Sequence, residues 1–214
     1  MVFGFRHIFK HSTGGREPVG VTMGANGVLY GATAYGGSSG AGTVFELLPP
    51  AAGGTWSAVL LYTFTGRRWS CTLATSGYRK RRDSLRDYSG GGSAGAGTVF
   101  TLTPGQDGIW TKTALYDFAK TGDRKIPDSP LVLRSNAIYG TAATGTGAHN
   151  AGGSIFVLRK TAGGAWTETV LHDFAGAAGP SGSLVIEKGG AIYGATTSGP
   201  GPTGSGMVYK IALQ

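Results

Sequence analysis

The sequence repeats itself at an interval of about 54 residues. The clearest marker is an aromatic residue after a β-branched or apolar pair; it stands at Phe45, Phe100, Phe156 and Tyr209, with spacings of 55, 56 and 53 residues. Further markers keep a similar interval, namely Trp56, Trp110 and Trp166, then Phe64, Phe118 and Phe174, and the LYGAT-like runs that begin at Leu29, Ile138 and Ile192. This self-similarity predicts a repeat architecture of about four units, in which each copy packs against its neighbours.

Each unit contains four strand-like runs. In the third unit these runs read PLVL, AIYGTA, GSIFVL and WTETVLHDF, and the turn sequences RSN, TGTGAHNAG and RKTAGG separate them. Four short antiparallel strands in a unit of this length are typical of a propeller blade. The predicted fold class is therefore all-β, a β-propeller-like array of four-stranded antiparallel blades that is either a closed four-bladed ring or a fragment of a larger propeller.

Leucine, tyrosine and phenylalanine alternate with other residues along these runs. Alternate residues of a strand share one face of the sheet, so these side chains are expected to fill the space between neighbouring blades. The recurrent tryptophans, Trp56, Trp110 and Trp166, are accordingly predicted to be packing residues rather than platforms for a ligand.

Composition supports a single globular repeat domain. The chain has 214 residues, enough to bury a core, and 40% of them are apolar, which argues against disorder. Its 40 glycines show no Gly-X-Y period, so a collagen helix is excluded and tight turns remain the reason for them. The single Cys71 excludes an internal disulfide. No apolar run is long enough to predict a membrane span, and MVFGFRHIFKHS lacks the apolar core of a signal peptide.

The two ends of the chain are complementary. The last unit stops after its third strand, GMVYKIAL, and the opening VFGFRHIF resembles the fourth strand that this unit lacks. Lending a terminal strand to the opposite end would close a ring and remove two exposed sheet edges. The predicted organisation is one domain, 1–214, made of a closing strand at 1–17, blade 1 at 18–66, blade 2 at 67–126, blade 3 at 127–179 and blade 4 at 180–214.

The segment 67–88, RRWSCTLATSGYRKRRDSLRDY, departs from the repeat. In a shifted reading frame, each new codon takes two bases from the codon of one residue and one base from the codon of the next. In that frame the run from Ser76 to Tyr88 can encode LVIEKGGTLYGTT, which is close to the LVIEKGGAIYGAT that begins at Leu184. We interpret 67–88 as an out-of-frame copy of two strands. Its Arg86 stands where the repeat has a glycine beside a buried aromatic residue, and burying an unpaired guanidinium is costly. The segment is therefore predicted to loop out or to pair poorly.

The same segment dominates the charge of the chain. It holds seven of the 19 Lys and Arg residues and two of the 11 acids, so it supplies +5 of the net charge of +8. Nucleic-acid recognition normally uses a dispersed basic face with aromatic stacking residues. No nucleic-acid partner is therefore predicted.

The histidines do not form a recognisable site. His7, His11, His149 and His172 lack zinc-ligand spacing, and the partner cysteines are missing. His172 and Asp173 lie in LHDF, which aligns with LYDF at Asp117 and LYTF at Thr63. A catalytic pair would not vary in this way among equivalent blades, so a solvated position on an outer strand is predicted for His172 and Asp173.

The acids are few and scattered through the repeat. Propeller glycosidases need carboxylates that converge on the central channel. Outside 67–88 the acids are Glu17, Glu46, Asp107, Asp117, Asp123, Asp128, Glu168, Asp173 and Glu187. Glu46 shares its repeat position with Thr101, Val157 and Lys210, and no acid pair stands out. The glycine-rich runs lack a following GKS or GKT, and the serines lack a nucleophile elbow. No catalytic residue, cofactor-binding residue or metal ligand is predicted.

The order LYGAT, GG, GAGTVFEL, W and LLYTF resembles the bacterial GloVer tandem repeats of the choice-of-anchor proteins. The likeness covers nearly all of the chain except 67–88. It implies a secreted or cell-surface repeat protein without an established activity and brings no catalytic residues, although neither an export signal nor a C-terminal anchor is expected within this chain.

The expected function is a non-enzymatic module that presents loops to an extracellular glycan or protein. Two alternatives stay open. One is a polysaccharide-acting enzyme on a propeller scaffold, which three or more acids clustered at one end of the channel would favour. The other is a truncated, frameshifted fragment without function.

Overall fold

The computed structural model describes residues 15–51, 54–65, 70–73, 84–89, 96–118, 129–142, 152–174, 179–199 and 205–212, and for 70–73 and 84–89 it describes only the backbone. Strands dominate these residues, and their one helical element is a single 3-10 turn at Ala25–Gly27. The all-β prediction is confirmed. The strands form four antiparallel sheets, and within each sheet consecutive strands pair in chain order.

Each unit of the repeat builds one sheet. Sheet 1 contains β1 (Arg16–Met23), β2 (Leu29–Tyr35), β3 (Thr43–Leu48) and β4 (Ser57–Thr63). Sheet 2 contains β5 (Ser70–Leu73), β6 (Ser84–Ser89), β7 (Thr98–Pro104) and β8 (Trp110–Asp117). Sheet 3 contains β9 (Val132–Arg134), β10 (Ala137–Ala142), β11 (Ser154–Lys160) and β12 (Trp166–Asp173). Sheet 4 contains β13 (Pro180–Ile186), β14 (Ile192–Thr196) and β15 (Val208–Ile211).

Both ends of the chain are described in part. Within the described residues sheet 4 has three strands. β1 begins at Arg16, so Arg16 and Glu17 belong to sheet 1 and not to the closing strand predicted at 1–17. The rest of that predicted strand, up to residue 14, lies outside the described residues.

A glycine lies opposite an aromatic residue at the centre of sheets 1, 3 and 4. Gly140 of β10 pairs with Phe156 of β11, and a Cβ built on Gly140 would lie 2.5 Å from Cζ of Phe156. The same clash would occur between Gly31 and Phe45, and between Gly194 and Tyr209. Because the aromatic ring lies across the backbone of the second strand, the repeat needs a residue without a side chain there.

Three apolar cores lie between consecutive sheets. The core between sheets 1 and 2 includes Val44 and Phe100, the core between sheets 2 and 3 includes Val99 and Phe156, and the core between sheets 3 and 4 includes Tyr139, Leu184 and Ile192. Trp110 and Trp166 pack against the first and second of these cores. The prediction that alternating apolar residues fill the space between repeats is confirmed, as is the packing role of Trp110 and Trp166, whereas the packing role of Trp56 stays a prediction.

An aromatic pair crosses each of these three interfaces. The phenylalanine after the fourth strand of one sheet packs against the third-strand aromatic residue of the next. The ring centroids are 5.9 Å apart for Phe64 and Phe100, 5.3 Å for Phe118 and Phe156, and 5.1 Å for Phe174 and Tyr209. Tilted and edge-to-face contacts of this kind add about 0.5–1.5 kcal/mol each beyond the area that they bury.

The segment 67–88 contributes two strands to sheet 2. β6 pairs with β7 so that Arg86 lies opposite Phe100, which is the register of Gly140 opposite Phe156. β5 pairs with β6 and places Leu73 opposite Arg86, whereas the out-of-frame alignment would place Ser76 there. The prediction that the segment loops out is therefore wrong for 70–73 and 84–89. Backbone hydrogen bonds with an intact neighbouring strand do not depend on side-chain identity, which explains the pairing.

Candidate functional site

A groove lies between sheets 2 and 3 at the end where β10 begins. Its volume is about 740 Å³, and its walls include Thr101 and Leu115 of sheet 2 and Leu133, Asn136, Lys160 and Trp166 of sheet 3. A volume of about 300–1,000 Å³ is usual for small-molecule sites in proteins. We call this feature the groove throughout.

The rim of the groove is formed by a two-residue hairpin turn. Arg134 and Ala137 are paired at the ends of β9 and β10, so Ser135 and Asn136 alone make the connection. Both have positive φ, 48° for Ser135 and 61° for Asn136. This is the left-handed geometry of a type I′ turn, whose twist matches that of the flanking strands. Asparagine adopts it readily, whereas serine does so at some cost, and the turn fixes the position of Asn136 beside the groove.

The floor of the groove combines a tryptophan with a lysine. Lys160 ends β11 and pairs with Trp166 at the start of β12, so both residues lie on the same face of sheet 3. Trp166 is half-buried because it packs against the core between sheets 2 and 3. The neighbouring Arg159 also lines the groove, and its Cζ lies 6.0 Å from the ring centroid of Tyr139.

The groove coincides with a gap in the tyrosine pattern of the repeat. In LYG and IYG, Tyr30 packs at the interface of sheets 1 and 2, and Tyr139 packs at the interface of sheets 3 and 4. The corresponding residue of sheet 2 is Leu85, which is paired with the groove-lining Thr101. The second unit therefore has leucine at a repeat position where the other three units have Tyr30, Tyr139 and Tyr193.

Sheet 3 is also linked to sheet 4 near this end. The guanidinium of Arg134 donates hydrogen bonds to the backbone carbonyls of Glu187 and Lys188, in the turn between β13 and β14. Charge-assisted bonds from a planar guanidinium hold the two turns in a defined relation. The bonds from Arg134 to sheet 4 therefore restrain the turn that carries Asn136, on the side away from the groove.

Buried hydroxyl groups occupy the opposite end of the sheets. In sheet 1 the Oγ1 atoms of Thr33 and Thr43 are 2.9 Å apart. In sheet 3 the same pair of positions holds Ala142 and Ser154, because this unit reads IYGTA where sheet 1 reads LYGAT. Among the described residues, the buried Oγ of Ser154 has no hydrogen-bond partner. The exchange of threonine and alanine explains this, so Ser154 gives no indication of a catalytic hydroxyl.

The described acids and His172 do not gather into one cluster. His172 and Asp173 are exposed on the edge strand β12, as predicted. Glu187 accepts a hydrogen bond of 3.2 Å from the hydroxyl of Tyr193, and Asp107 accepts one of 2.9 Å from the backbone of Ile109. Within the described part of the chain, no three His, Cys, Asp or Glu side chains are grouped so that they could hold a metal ion. His7, His11, His149, Asp123 and Asp128 lie outside the described residues.

Burial has one clear electrostatic effect in the described sheets. It raises the pKa of the Tyr209 hydroxyl to about 12, because the ionised phenolate would lose solvation beside Phe174. The residue is far from the groove in sequence and belongs to sheet 4. In the ranges that the structure covers, no helix is long and apolar enough to cross a membrane.

Sequence reasoning did not identify the groove. Asn136 and Lys160 were not singled out, although RK at 159–160 replaces LP at 48–49 and TP at 103–104 in the other units. That replacement is the signal that could have found Lys160. Trp166 was predicted to pack, which it does, and it lines the groove as well.

Compared with protein-family models and with curated proteins, the chain gives no match.

Proposed function

We propose that the protein is a non-enzymatic repeat module of the GloVer type, secreted or displayed at the cell surface, that binds a glycan or protein. The observation that carries this proposal is the groove, where Trp166, Asn136 and Lys160 come together beside apolar walls. An apolar groove with a few convergent polar groups is the usual form of a binding site. The described acids offer no pair at the groove that would favour hydrolysis.

The finer fold that we propose is a closed four-bladed propeller, in which the four sheets are blades. Support comes from the aromatic pair that recurs across all three interfaces of the described sheets. Phe45 of sheet 1 points away from sheet 2 and is still only 2% exposed, which indicates that this face is covered as well. If VFGFRHIF closed the ring as a fourth strand beside β15, Phe9 would pack against Phe45, in the same way that Phe174 packs against Tyr209.

The closure is tested by a double-mutant cycle on Phe9 and Phe45. Phe9→Ala and Phe45→Ala should each lower the free energy of unfolding, and the double variant should lose less than the sum, with a coupling of about 0.5–1.5 kcal/mol. Phe9→Ala combined with Phe100→Ala is the control pair, for which additivity is expected. Additivity in both pairs would contradict the closed ring.

The binding function is tested with a glycan array and with nuclear magnetic resonance on the full chain. A bound oligosaccharide should shift the signals of Leu115 and Leu133 at the groove and leave those of Thr33, at the opposite end of the sheets, unchanged. The function is refuted if a folded chain binds no array glycan and also shows no shift with any protein exported by the same cell.

One observation favours the alternative of a frameshifted copy. Arg86 stands opposite Phe100, where the three sister sheets have glycine opposite their aromatic residue. Sequencing the genomic DNA across 67–88 tests this origin. Paired insertions and deletions around the segment are expected, and an uninterrupted frame shared with a sister gene would exclude it.

A further inference from the structure

The charge of the groove points to an anionic ligand. Lys160 lines the groove on the face of sheet 3 that carries Trp166, and none of the described lining residues is acidic. The guanidinium of the adjacent Arg159 lies on the other face, beside Tyr139 between sheets 3 and 4. The position of Lys160 holds Pro49 after β3 and Pro104 at the end of β7. The positive charge is therefore a property of this one interface and not of the repeat.

The remaining walls fit a saccharide ring. Trp166 supplies an aromatic surface, and Thr101, Ser135, Asn136 and Thr161 line the groove with hydroxyl and amide groups. Hydroxyl and amide side chains both donate and accept hydrogen bonds, as sugar hydroxyl groups do. The turn that carries Asn136 is held by its paired flanks and by Arg134, so these groups are positioned before a ligand arrives.

The second unit departs from the other units beside the groove. Tyr30 packs between sheets 1 and 2, and Tyr139 packs between sheets 3 and 4. The corresponding residue of β6 is Leu85, whose backbone pairs with the groove-lining Thr101. A tyrosine at position 85 is therefore expected to compete with a ligand for the groove.

We propose that the groove binds an anionic saccharide, with its ring against Trp166 and its carboxylate or sulfate at Lys160. This assignment rests on the proposed binding function and narrows it to one chemical class. A charge-assisted hydrogen bond from the ammonium group of Lys160 would provide the preference for the acidic sugar over its neutral counterpart.

Calorimetric titration of the full chain with trigalacturonate, and with galactotriose as the neutral control, tests the assignment. We expect the acidic trisaccharide to bind at least about tenfold more tightly at low ionic strength, and the difference to shrink as salt screens the charge. Sodium acetate at the same concentration tests for a simple anion site. Competition by acetate alone would overturn the assignment to a saccharide.

Three variants locate the site. Lys160→Gln should weaken trigalacturonate binding about tenfold, whereas Lys112→Gln, whose ammonium lies 4.9 Å from the ring centroid of Phe100 in sheet 2, should not change it. Leu85→Tyr restores the ring of the repeat and should abolish binding. If Leu85→Tyr fails to fold, Thr101→Phe blocks the groove from a described position. Equal losses in the lysine variants would overturn the placement.

The two levels of the proposal fail differently. Equal affinity for trigalacturonate and galactotriose, with loss of both in Leu85→Tyr, would refute the anionic preference and leave the binding function standing. Binding of trigalacturonate that survives Leu85→Tyr, Thr101→Phe and Lys160→Gln would refute the groove as its site. Binding of no glycan or protein by a folded chain would refute the proposed function itself.

Discussion

Sheets 2 and 3 have the same strand order and differ at the centre of their second strands. In sheet 3, Gly140 lies under the ring of Phe156, and a Cβ there would meet the ring. In sheet 2, Arg86 occupies the same place opposite Phe100. Phe100 is nevertheless fully buried, as Phe156 is. The two sheets therefore share a backbone register, although sheet 2 has arginine at the position where sheet 3 has glycine.

The comparison shows that strand register and side-chain packing have different physical causes. The hydrogen bonds of β6 with β7 use backbone groups that every residue except proline provides, so β7 is a template for almost any sequence. Packing depends on the side chains, and it requires glycine where an aromatic ring crosses the strand. An incorrect residue therefore lowers stability without changing the topology.

The largest expected effect comes from transferring the defect of sheet 2 to sheet 3. Gly140→Arg should destabilise the protein by about 3 kcal/mol or more, because the side chain must displace the ring of Phe156 or carry its charge into the core. Urea denaturation followed by circular dichroism measures this loss. Gly163→Arg is the control, since a Cβ there meets nothing closer than Oγ1 of Thr161 at 3.9 Å. Similar midpoints for the two variants would show that the ring does not require glycine.

The reverse exchange should stabilise sheet 2. Arg86→Gly is expected to raise the free energy of unfolding by about 1–3 kcal/mol, since it restores the glycine that the repeat has opposite its buried aromatic residue. Arg86→Ala provides a sharp comparison. Glycine in a strand normally costs about 0.5–1 kcal/mol relative to alanine. A glycine variant that is less stable than the alanine variant would mean that sheet 2 does not share the geometry of its sisters.

A smaller gain is expected from repairing the hydroxyl pair of sheet 3. Ala142→Thr places a hydroxyl next to Ser154, whose buried Oγ has no partner among the described residues, and should add about 1 kcal/mol. Ala142→Val has nearly the same shape and lacks the hydroxyl, so the difference between the two variants isolates the hydrogen bond. Equal stabilities would show that Ser154 is satisfied in another way.

The smallest effect at neutral pH concerns the aromatic residue of sheet 4, which is Tyr209 where sheet 3 has Phe156. Burial raises its pKa from 10.0 to about 12, so the unfolded chain ionises first. The contribution of the neutral Tyr209 hydroxyl to the free energy of unfolding is fully present below pH 10 and falls as the pH rises from about 10 towards 12. Tyr209→Phe should remove that part of the decline, seen as a difference between thermal midpoints measured at pH 8 and pH 11. Parallel declines would contradict the assignment.

The sequence predicted the sheets well because their signals are local and repeated. Phe45, Phe100, Phe156 and Tyr209 marked four third strands, and the structure contains all four. The groove could not be predicted in the same way. It forms where two sheets meet, and its lining residues come from strands that are distant in the sequence. A repeat pattern predicts the strands of each sheet and does not predict the space between two sheets.

The strand positions in 67–88 show a second limit. The out-of-frame alignment gave the correct register for β6, because Arg86 falls at the glycine position. It misplaced β5 by three residues, since Leu73 and not Ser76 lies opposite Arg86. A strand at the end of a sheet has one neighbour to fix its register, so the codon pattern and the physical pairing can diverge there.

The aromatic pairs give the stack of sheets a direction. Phe64 contacts Phe100 of the next sheet, and Phe174 contacts Tyr209 of the next sheet. Each such contact therefore joins the fourth-strand end of one sheet to the third strand of the sheet that follows it. Such head-to-tail contacts either close into a ring or continue from one molecule to the next. Preparations in which the two termini cannot meet should consequently form chains whose length increases with protein concentration.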